Sequence, residues 1–362
     1  MPLEESGVKD LQVQVHYPGN KDGELLTNDR FPLMRPEVLQ AIADAKGIPA
    51  SALRSLFGGS LQEDPSCEVS TASKWPVAVF SSGIWGSCEM YTQFVRDLAS
   101  YGMVVIAIEH EDGSGIYAVN SEGETLPYVD PPKDADVRSF RQPNLEKRTQ
   151  EISAVVKGIK SLASDASSTS LLARVLHQCD CDQLALIGHS LGAAGAWRYL
   201  RMVPSCPFRF VLLMDLWPAV LLEQDFSFSP TVDYAIVLSE EWMKNPRFLR
   251  GNGKLAANSG KCLAALQSPG TSHQWISETQ MIMPSFVLRR MGLMGPGDWS
   301  RCYSATVQAS AELVMCGLGQ RSKATAMQAI EKLDPDVFKA IQFAENYLPF
   351  AGEESLNRLA GQ

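Results

Sequence analysis

The stretch "QLALIGHSLGAAGAW", Gln183 to Trp197, contains the pattern that decides the fold. Within it, Gly188-His189-Ser190-Leu191-Gly192 matches G-x-S-x-G between an apolar run and a run of small residues. This context predicts a serine on a tight turn between a strand and a helix, with glycines where the backbone passes closely. The alternative is an ordinary Gly-Ser turn in a parallel sheet. The strand-turn-helix context favours a nucleophilic serine, Ser190.

Strand-like and helix-like segments alternate along most of the chain. The predicted strands are "LQVQVHYP" as an edge strand, "WPVAVFSSG", "MVVIAIEH", "QLALIG", "FRFVLLMD" and "YAIVLSEE". Helices are expected at about 37–46, 88–102 and 144–162. Such alternation predicts an α/β protein with a mostly parallel central sheet and helices on both faces.

The domain organisation follows from the same reading. We predict one catalytic domain over 1–320 and a C-terminal helical extension over 321–362, packed on or beside it, with a break near Asp334-Pro335. The polar stretch 111–140 reads as a long loop, and a loop of that length in a compact domain has a function in most cases.

Composition excludes several classes of protein. The chain has 362 residues, 45% hydrophobic and 20% charged, with a net charge of −9. This charge argues against a nucleic-acid partner and against strong attraction to anionic membranes. The N-terminus has no apolar signal segment, and the eight cysteines are scattered, so we expect a cytoplasmic protein with reduced thiols.

A nucleophilic serine needs a base, because its hydroxyl is a poor nucleophile at neutral pH. The five histidines are His16, His110, His177, His189 and His273. In hydrolases with this serine turn, the order along the chain is serine, acid, histidine. Only His273 follows Ser190, so we predict that His273 is the base.

The acid is expected after a strand that lies between Ser190 and His273. Asp215 ends "FRFVLLMD", whereas Glu240 and Glu241 end "YAIVLSEE" and fit equally well as acidic residues in the first turn of a short helix. We therefore favour Asp215, which follows a mostly apolar run and needs a hydrogen-bond partner such as an imidazole.

The tetrahedral intermediate of acyl transfer needs two backbone N–H donors. One is expected from Leu191, directly after the nucleophile, and the other from Ile84 in the loop after "VAVFSSG". This chemistry uses side chains and backbone alone, so we predict neither a metal nor a cofactor.

Several stretches resemble the platelet-activating factor acetylhydrolases of the plasma and intracellular type II kind. They are "WPVAVFSSGIWGSCEMYTQFVRDLASYGMVVIAIEHEDGSG", "LALIGHSLGAAGAW", "VLLMDLWP", "AIVLSEEW" and "GTSHQWISE". The resemblance runs from about Leu11 to Leu318. It implies an α/β-hydrolase fold and calcium-independent hydrolysis of short or oxidised acyl chains at the sn-2 position of glycerophospholipids. It also implies the triad Ser190, Asp215 and His273, with Ile84 and Leu191 as oxyanion donors.

Two positions depart from that family. Ser82 stands where its members usually carry histidine, and Trp85 stands where they carry a small residue. We expect Trp85 and Trp217 to line the substrate pocket, with the Trp85 indole narrowing it. The alternative is that Trp85 packs as core.

Two other functions are compatible with the sequence. One is a carboxylesterase for small soluble esters or polyesters, and the other is a catalytically silent ligand-binding protein of the same fold. An enzyme that extracts lipid must touch a membrane. The segment 281–295, "MIMPSFVLRRMGLMG", is the candidate for a transient peripheral membrane contact, although a core helix with two snorkelling arginines fits it equally well.

Overall fold

The computed structural model describes residues 11–19, 30–32, 34–57, 60–62, 69–257 and 260–341. In these ranges the strands are β1 (Val13–His16), β2 (Arg30–Pro32), β3 (Ser60–Gln62), β4 (Trp75–Ser81), β5 (Val104–Ile108), β6 (Tyr117–Val119), β7 (Thr125–Pro127), β8 (Cys179–His189), β9 (Phe208–Met214), β10 (Asp233–Ser239), β11 (Cys262–Ser268) and β12 (Lys339–Ala340). The α-helices are α1 (Pro36–Lys46), α2 (Ala50–Phe57), α3 (Thr92–Ser100), α4 (Val137–Ser164), α5 (Leu171–His177), α6 (Leu191–Met202), α7 (Glu223–Phe226), α8 (Glu240–Lys244), α9 (Pro246–Ala257), α10 (Thr279–Ile282), α11 (Ser285–Arg290), α12 (Trp299–Gly317) and α13 (Lys323–Glu331).

Eight strands form the central sheet, in the order β1-β5-β4-β8-β9-β10-β11-β12. Neighbours from β5 to β11 pair in parallel, while β1 and β12 pair antiparallel at the two edges. The inner strands are continuous apolar runs because helices cover both faces of a parallel sheet. The predicted mostly parallel sheet is confirmed, with β1 as its predicted edge strand.

The two faces of the sheet have separate cores. Along β4, Val77 and Val79 contribute to one core and Ala78 and Phe80 to the other, as the two-residue period of a strand requires. Helices α4, α5 and α6 cover the first face. Helices α3 and α12 cover the second.

Helix α4 begins at Val137, so the expected start near Asn144 is wrong. The Asp136 carboxylate accepts the Ser139 N–H at 2.9 Å and caps the helix seven residues earlier. Pro143 lies inside α4, where it removes one backbone donor without ending the helix. The predicted long loop is correspondingly shorter and contains the antiparallel pair β6–β7.

The region after residue 320 contributes a helix and a strand. Helix α13 packs on α12, and β12 pairs with β11 through Leu266 and Ala340. Residues 342–362 of the predicted extension lie outside the described residues, and the division at 320 stays a prediction. Within the described ranges, no helix combines the length and the apolar character that crossing a membrane requires.

Candidate active site

Ser190 occupies a strained turn between β8 and α6. Its φ is 55° and its ψ −116°, a conformation that non-glycine residues rarely adopt. A methyl group on Gly192 would lie 2.1 Å from the Ser81 carbonyl oxygen, and one on Gly188 would lie 2.6 Å from the Ala193 nitrogen. Both glycines of the motif are therefore required by close backbone approach. The predicted strand-turn-helix context of Ser190 is confirmed.

Asp215 follows β9 and is completely buried. Its carboxylate accepts three hydrogen bonds: from the Ser239 N–H (2.7 Å), the Ser239 hydroxyl (2.6 Å) and His273 Nδ1 (2.9 Å). Burial raises the pKa of Asp215, and the hydrogen bonds from His273 and Ser239 oppose that rise. The structure thus brings the predicted acid and the predicted base together.

The His273 imidazole lies between two rings. The Trp242 indole stacks on it with centroids 3.7 Å apart and planes at 11°, and His189 lies at 4.5 Å and 28°. Nδ1 is hydrogen-bonded to Asp215, which orients the other nitrogen, Nε2, for proton transfer. The stacked indole also fixes the plane of the His273 ring.

Glu240 and Glu241, the alternative candidates for the acid, form hydrogen bonds with the loop that carries His273. Glu240 accepts the Gly270 N–H, and Glu241 accepts the His273 N–H at 2.7 Å. Each residue from Ser239 to Trp242 therefore contacts either Asp215 or the segment from Gly270 to His273. The sequence indicated helix-capping chemistry at these positions but not these backbone contacts.

His189, the residue before Ser190, stacks on the His273 imidazole with ring centroids 4.5 Å apart. Among the described residues, no bond within 3.5 Å joins the Ser190 hydroxyl to the imidazole, a common feature of sites without substrate. A methyl group on Gly83 would lie 3.1 Å from Ser190 Cβ, so the loop after β4 lies against the nucleophile.

The backbone N–H groups of Ile84 and Leu191 remain available for an oxyanion. The next residue, Trp85, donates its N–H to the Ser114 carbonyl at 2.8 Å, whereas the Ile84 N–H has no partner in the described ranges. Leu191 is the first residue of α6, where an N–H has no acceptor within the helix. The assignment of both residues as oxyanion donors stays a prediction.

A chain of hydrogen bonds joins two loops. We call the loop after β4, which contains Gly83 and Ile84, the oxyanion loop, and the segment from Gly270 to His273 the base loop. His189 Nε2 lies 3.1 Å from the His273 carbonyl, so it donates, and Nδ1 accepts from the Tyr91 hydroxyl at 2.9 Å. The Tyr91 oxygen in turn accepts the Gly83 N–H at 3.3 Å. Burial holds the pKa of His189 well below its usual value, which keeps the ring neutral and the chain intact.

A buried arginine fixes the other side of the oxyanion loop. Arg148 donates to the Ser82 carbonyl at 2.5 Å and to Asp112 at 2.8 Å. Burial alone would raise the pKa of Asp112, but Arg148 and the other donors lower it.

A second hydrogen-bonded array lies beside this pair, beneath the loop. The Ser81 hydroxyl is 2.7 Å from His110 Nε2, and His110 Nδ1 is 2.6 Å from the Glu151 carboxylate. Sequence reasoning missed these residues.

The two tryptophans predicted for the pocket lie beside these elements. Trp85 is half-buried, has a φ of 64° and packs edge-on against Tyr128 at 5.6 Å. Trp217 is half-buried and donates its N–H to the Ser190 carbonyl at 3.3 Å. Their contact with substrate stays a prediction.

His189, Asp215 and His273 also bring three possible metal-ligating atoms within 4.8 Å of one another. Hydrogen bonds already occupy His189 on both nitrogens, and they join Asp215 to His273. These atoms fit a proton-transfer site better than a metal centre, because a ligating nitrogen must offer a free lone pair. The expectation of a metal-free site stays a prediction.

The segment 281–295 mixes buried and exposed apolar residues. Leu288 is fully buried, whereas Phe286 is 73% exposed and Met291 55%. Arg289 and Arg290 are also exposed. The described residues therefore place part of this segment in the core and part at the surface.

The sheet order and the strained serine define a class of protein, the α/β-hydrolase fold. A ferulic acid esterase from Streptomyces cinnamoneus has a similar structure, with a TM-score of 0.66 and 15% identity, over 91% of this chain and 88% of that one. At this identity the likeness shows the fold alone, and it confirms the predicted fold class.

The chain belongs to the family described as platelet-activating factor acetylhydrolase, isoform II, whose model matches residues 3–337. A platelet-activating factor acetylhydrolase from Canis lupus familiaris is 25% identical over 60% of this chain and 52% of its own length. A putative phospholipase A2 from Schizosaccharomyces pombe is 26% identical over 79% and 78%. The chain thus spans about half the length of the mammalian relative, and the predicted family is confirmed.

Proposed function

We propose that the protein is a serine ester hydrolase that releases short or oxidised acyl groups from the sn-2 position of glycerophospholipids. The observation that carries this proposal is the hydrogen bond between the buried Asp215 carboxylate and the half-buried His273 imidazole, together with the strained turn at Ser190. Membership of the family supports the choice of phospholipid over other esters.

In the proposed reaction, Ser190 Oγ attacks the ester carbonyl carbon and His273 Nε2 takes the hydroxyl proton. The carbonyl oxygen becomes an oxyanion that the N–H groups of Ile84 and Leu191 stabilise. The bond to the alcohol then breaks, and His273 returns the proton to the leaving alkoxide. Water, deprotonated by the same histidine, releases the acyl group and restores Ser190. Asp215 orients the imidazole throughout and stabilises its cationic form.

Labelling with a fluorophosphonate tests the nucleophile. We expect one labelled residue, Ser190, and we expect Ser190→Ala to lose both labelling and hydrolysis of an acetyl ester. Ser205→Ala, at an exposed serine after α6, is the matched control and should behave as wild type. Persistent labelling of Ser190→Ala would place the chemistry elsewhere.

Contact with a lipid surface distinguishes a phospholipid enzyme from a carboxylesterase for small soluble esters. We propose that the exposed Phe286 and Met291 make this contact transiently and that the protein is otherwise cytoplasmic. Phe286→Ser should weaken sedimentation with phosphatidylcholine vesicles and slow hydrolysis of vesicle-borne substrate. Hydrolysis of a soluble acetyl ester should not change. Equal rates on vesicles for both proteins would favour the soluble-ester function.

A further inference from the structure

Two cations flank the aromatic pair beside the oxyanion loop. The Lys46 ammonium lies 4.1 Å from the centroid of the Trp85 ring, and the Arg141 guanidinium lies 5.3 Å from that of Tyr128. Trp85 directly follows Ile84, a proposed oxyanion donor. Lys46 contacts the Trp85 ring itself, and Arg141 contacts Tyr128, which packs against Trp85. Cations collect here although the whole chain carries a net charge of −9.

Neither cation has a carboxylate within ion-pair distance among the described residues. Arg141 is only 1% exposed, and its Nη2 donates to the neutral Tyr128 hydroxyl at 2.8 Å. Its Nε is buried without any partner. Its Nη1 donates to the Asn144 side-chain oxygen at 3.4 Å. A buried guanidinium without an ion pair is costly, so this position favours the binding of an anion.

The face of α4 on which Arg141 lies leads to the catalytic loop. Two turns further along the helix, Arg148 holds the Ser82 carbonyl, and between them Asn144 donates to the Asp112 carbonyl. The same helix face therefore supports the oxyanion loop through Arg148 and carries the Arg141 guanidinium, which has no ion pair among the described residues.

We propose that Arg141 and Lys46 form a recognition site for an anionic oxygen group carried by the ester substrate. Arg141 supplies a buried, charge-assisted hydrogen bond, and Lys46 supplies a solvent-exposed charge. The group is a phosphate on the alcohol side of the ester or a carboxylate at the end of a short acyl chain. The proposal rests on the proposed ester hydrolase function and names the feature by which that enzyme selects substrates.

Four soluble esters test the proposal. One is an acetyl ester of an alcohol with a phosphodiester, and another is a glutaroyl ester with a free terminal carboxylate. Each is paired with its uncharged counterpart, the alcohol without phosphate or the methyl-capped glutaroyl chain. The quantity measured is the ratio of kcat/KM for the charged over the uncharged ester. The pair that shows a raised ratio identifies the side of the ester that is recognised.

We expect Arg141→Gln to lower this ratio about 10- to 100-fold, the effect of losing one charge-assisted hydrogen bond, with little change for uncharged esters. Arg141→Lys should restore part of it. Lys46→Gln should lower it by a few fold, in a salt-dependent way because the charge is exposed. The control Lys157→Gln removes an exposed charge about 24 Å further along α4 and should have no effect.

The outcomes separate this proposal from the proposed function. If wild type hydrolyses none of the four esters, the function itself is wrong. If it hydrolyses them with a charged-to-uncharged ratio near one, or if Arg141→Gln slows all four esters equally, the recognition site is refuted. Thermal melting checks folding. If Arg141→Gln does not fold, two other measurements decide. A charged-to-uncharged ratio that is the same at low and high salt, and the same in wild type and Lys46→Gln, refutes the proposal.

Discussion

Glu278 provides a test of how burial near the base loop affects stability. It follows His273 by five residues and is 2% exposed, and its carboxylate accepts the Gln93 N–H at the start of α3. Burial raises the pKa of Glu278 from 4.5 to about 7, with a smaller contribution from Asp97, against the opposing hydrogen bond from Gln93. At about 1.4 kcal/mol per pH unit, this difference corresponds to about 3 kcal/mol.

The sign follows from which state binds the proton more tightly. Below pH 4.5 Glu278 is protonated in both states and costs nothing. Between pH 4.5 and about 7 the folded protein keeps a proton that the unfolded chain releases, so the free energy of unfolding falls as pH rises. Above that range the full loss of about 3 kcal/mol is present.

Urea denaturation of wild type and Glu278→Gln, at half-unit steps from pH 5 to pH 8, measures this loss. The free energy of unfolding of wild type should fall relative to the variant by about 2–3 kcal/mol over that range, because glutamine cannot ionise. Glu331→Gln, at an exposed position on α13, should instead follow wild type. Parallel curves for wild type and Glu278→Gln would refute the reasoning.

Four further outcomes are expected at the site. Asp215→Asn should lower kcat by about 10³- to 10⁴-fold by favouring the wrong imidazole tautomer, and Glu240→Gln should lower it far less; the reverse ranking in steady-state kinetics would reject the acid. Tyr91→Phe should lower kcat about tenfold with little change in KM, since it breaks the link between Gly83 and His189. Hydrolysis rates should fall steadily from acetyl to long acyl chains, by about 1 kcal/mol per methylene, and Trp85→Ala should flatten that fall without loss of melting temperature. Activity should survive excess chelator, and calcium-restored activity after chelation would contradict the mechanism.

The parts that the sequence predicted are those with a local signal. Ser190 lies in a G-x-S-x-G pattern between an apolar run and a run of small residues, and the chain order left His273 as the one candidate base. Strand β11, "CLAALQS", was not predicted, because it contains none of the β-branched residues that are typical of strands. The helix expected from about Asn144 begins earlier because the Asp136 cap lies in a polar stretch that was read as loop.

The parts that the sequence could not predict depend on long-range contacts. Arg148 and Ser82 are 66 positions apart, and Tyr91 and His189 are 98 apart. No periodicity connects such pairs, so the supports of the oxyanion loop become visible only in the folded chain. The same holds for Arg141, whose lack of an ion pair has no signature in the sequence.

The pairing of β12 with β11 has a consequence for solubility. Strand β11 is parallel to its inner neighbour, and its outer edge would otherwise present unpaired N–H and C=O groups to other molecules. The short β12 covers part of that edge and places the exposed Lys339 there, a charge that discourages pairing with a second chain. Loss of the β12 pairing would expose this edge of β11 to strand pairing with a second chain.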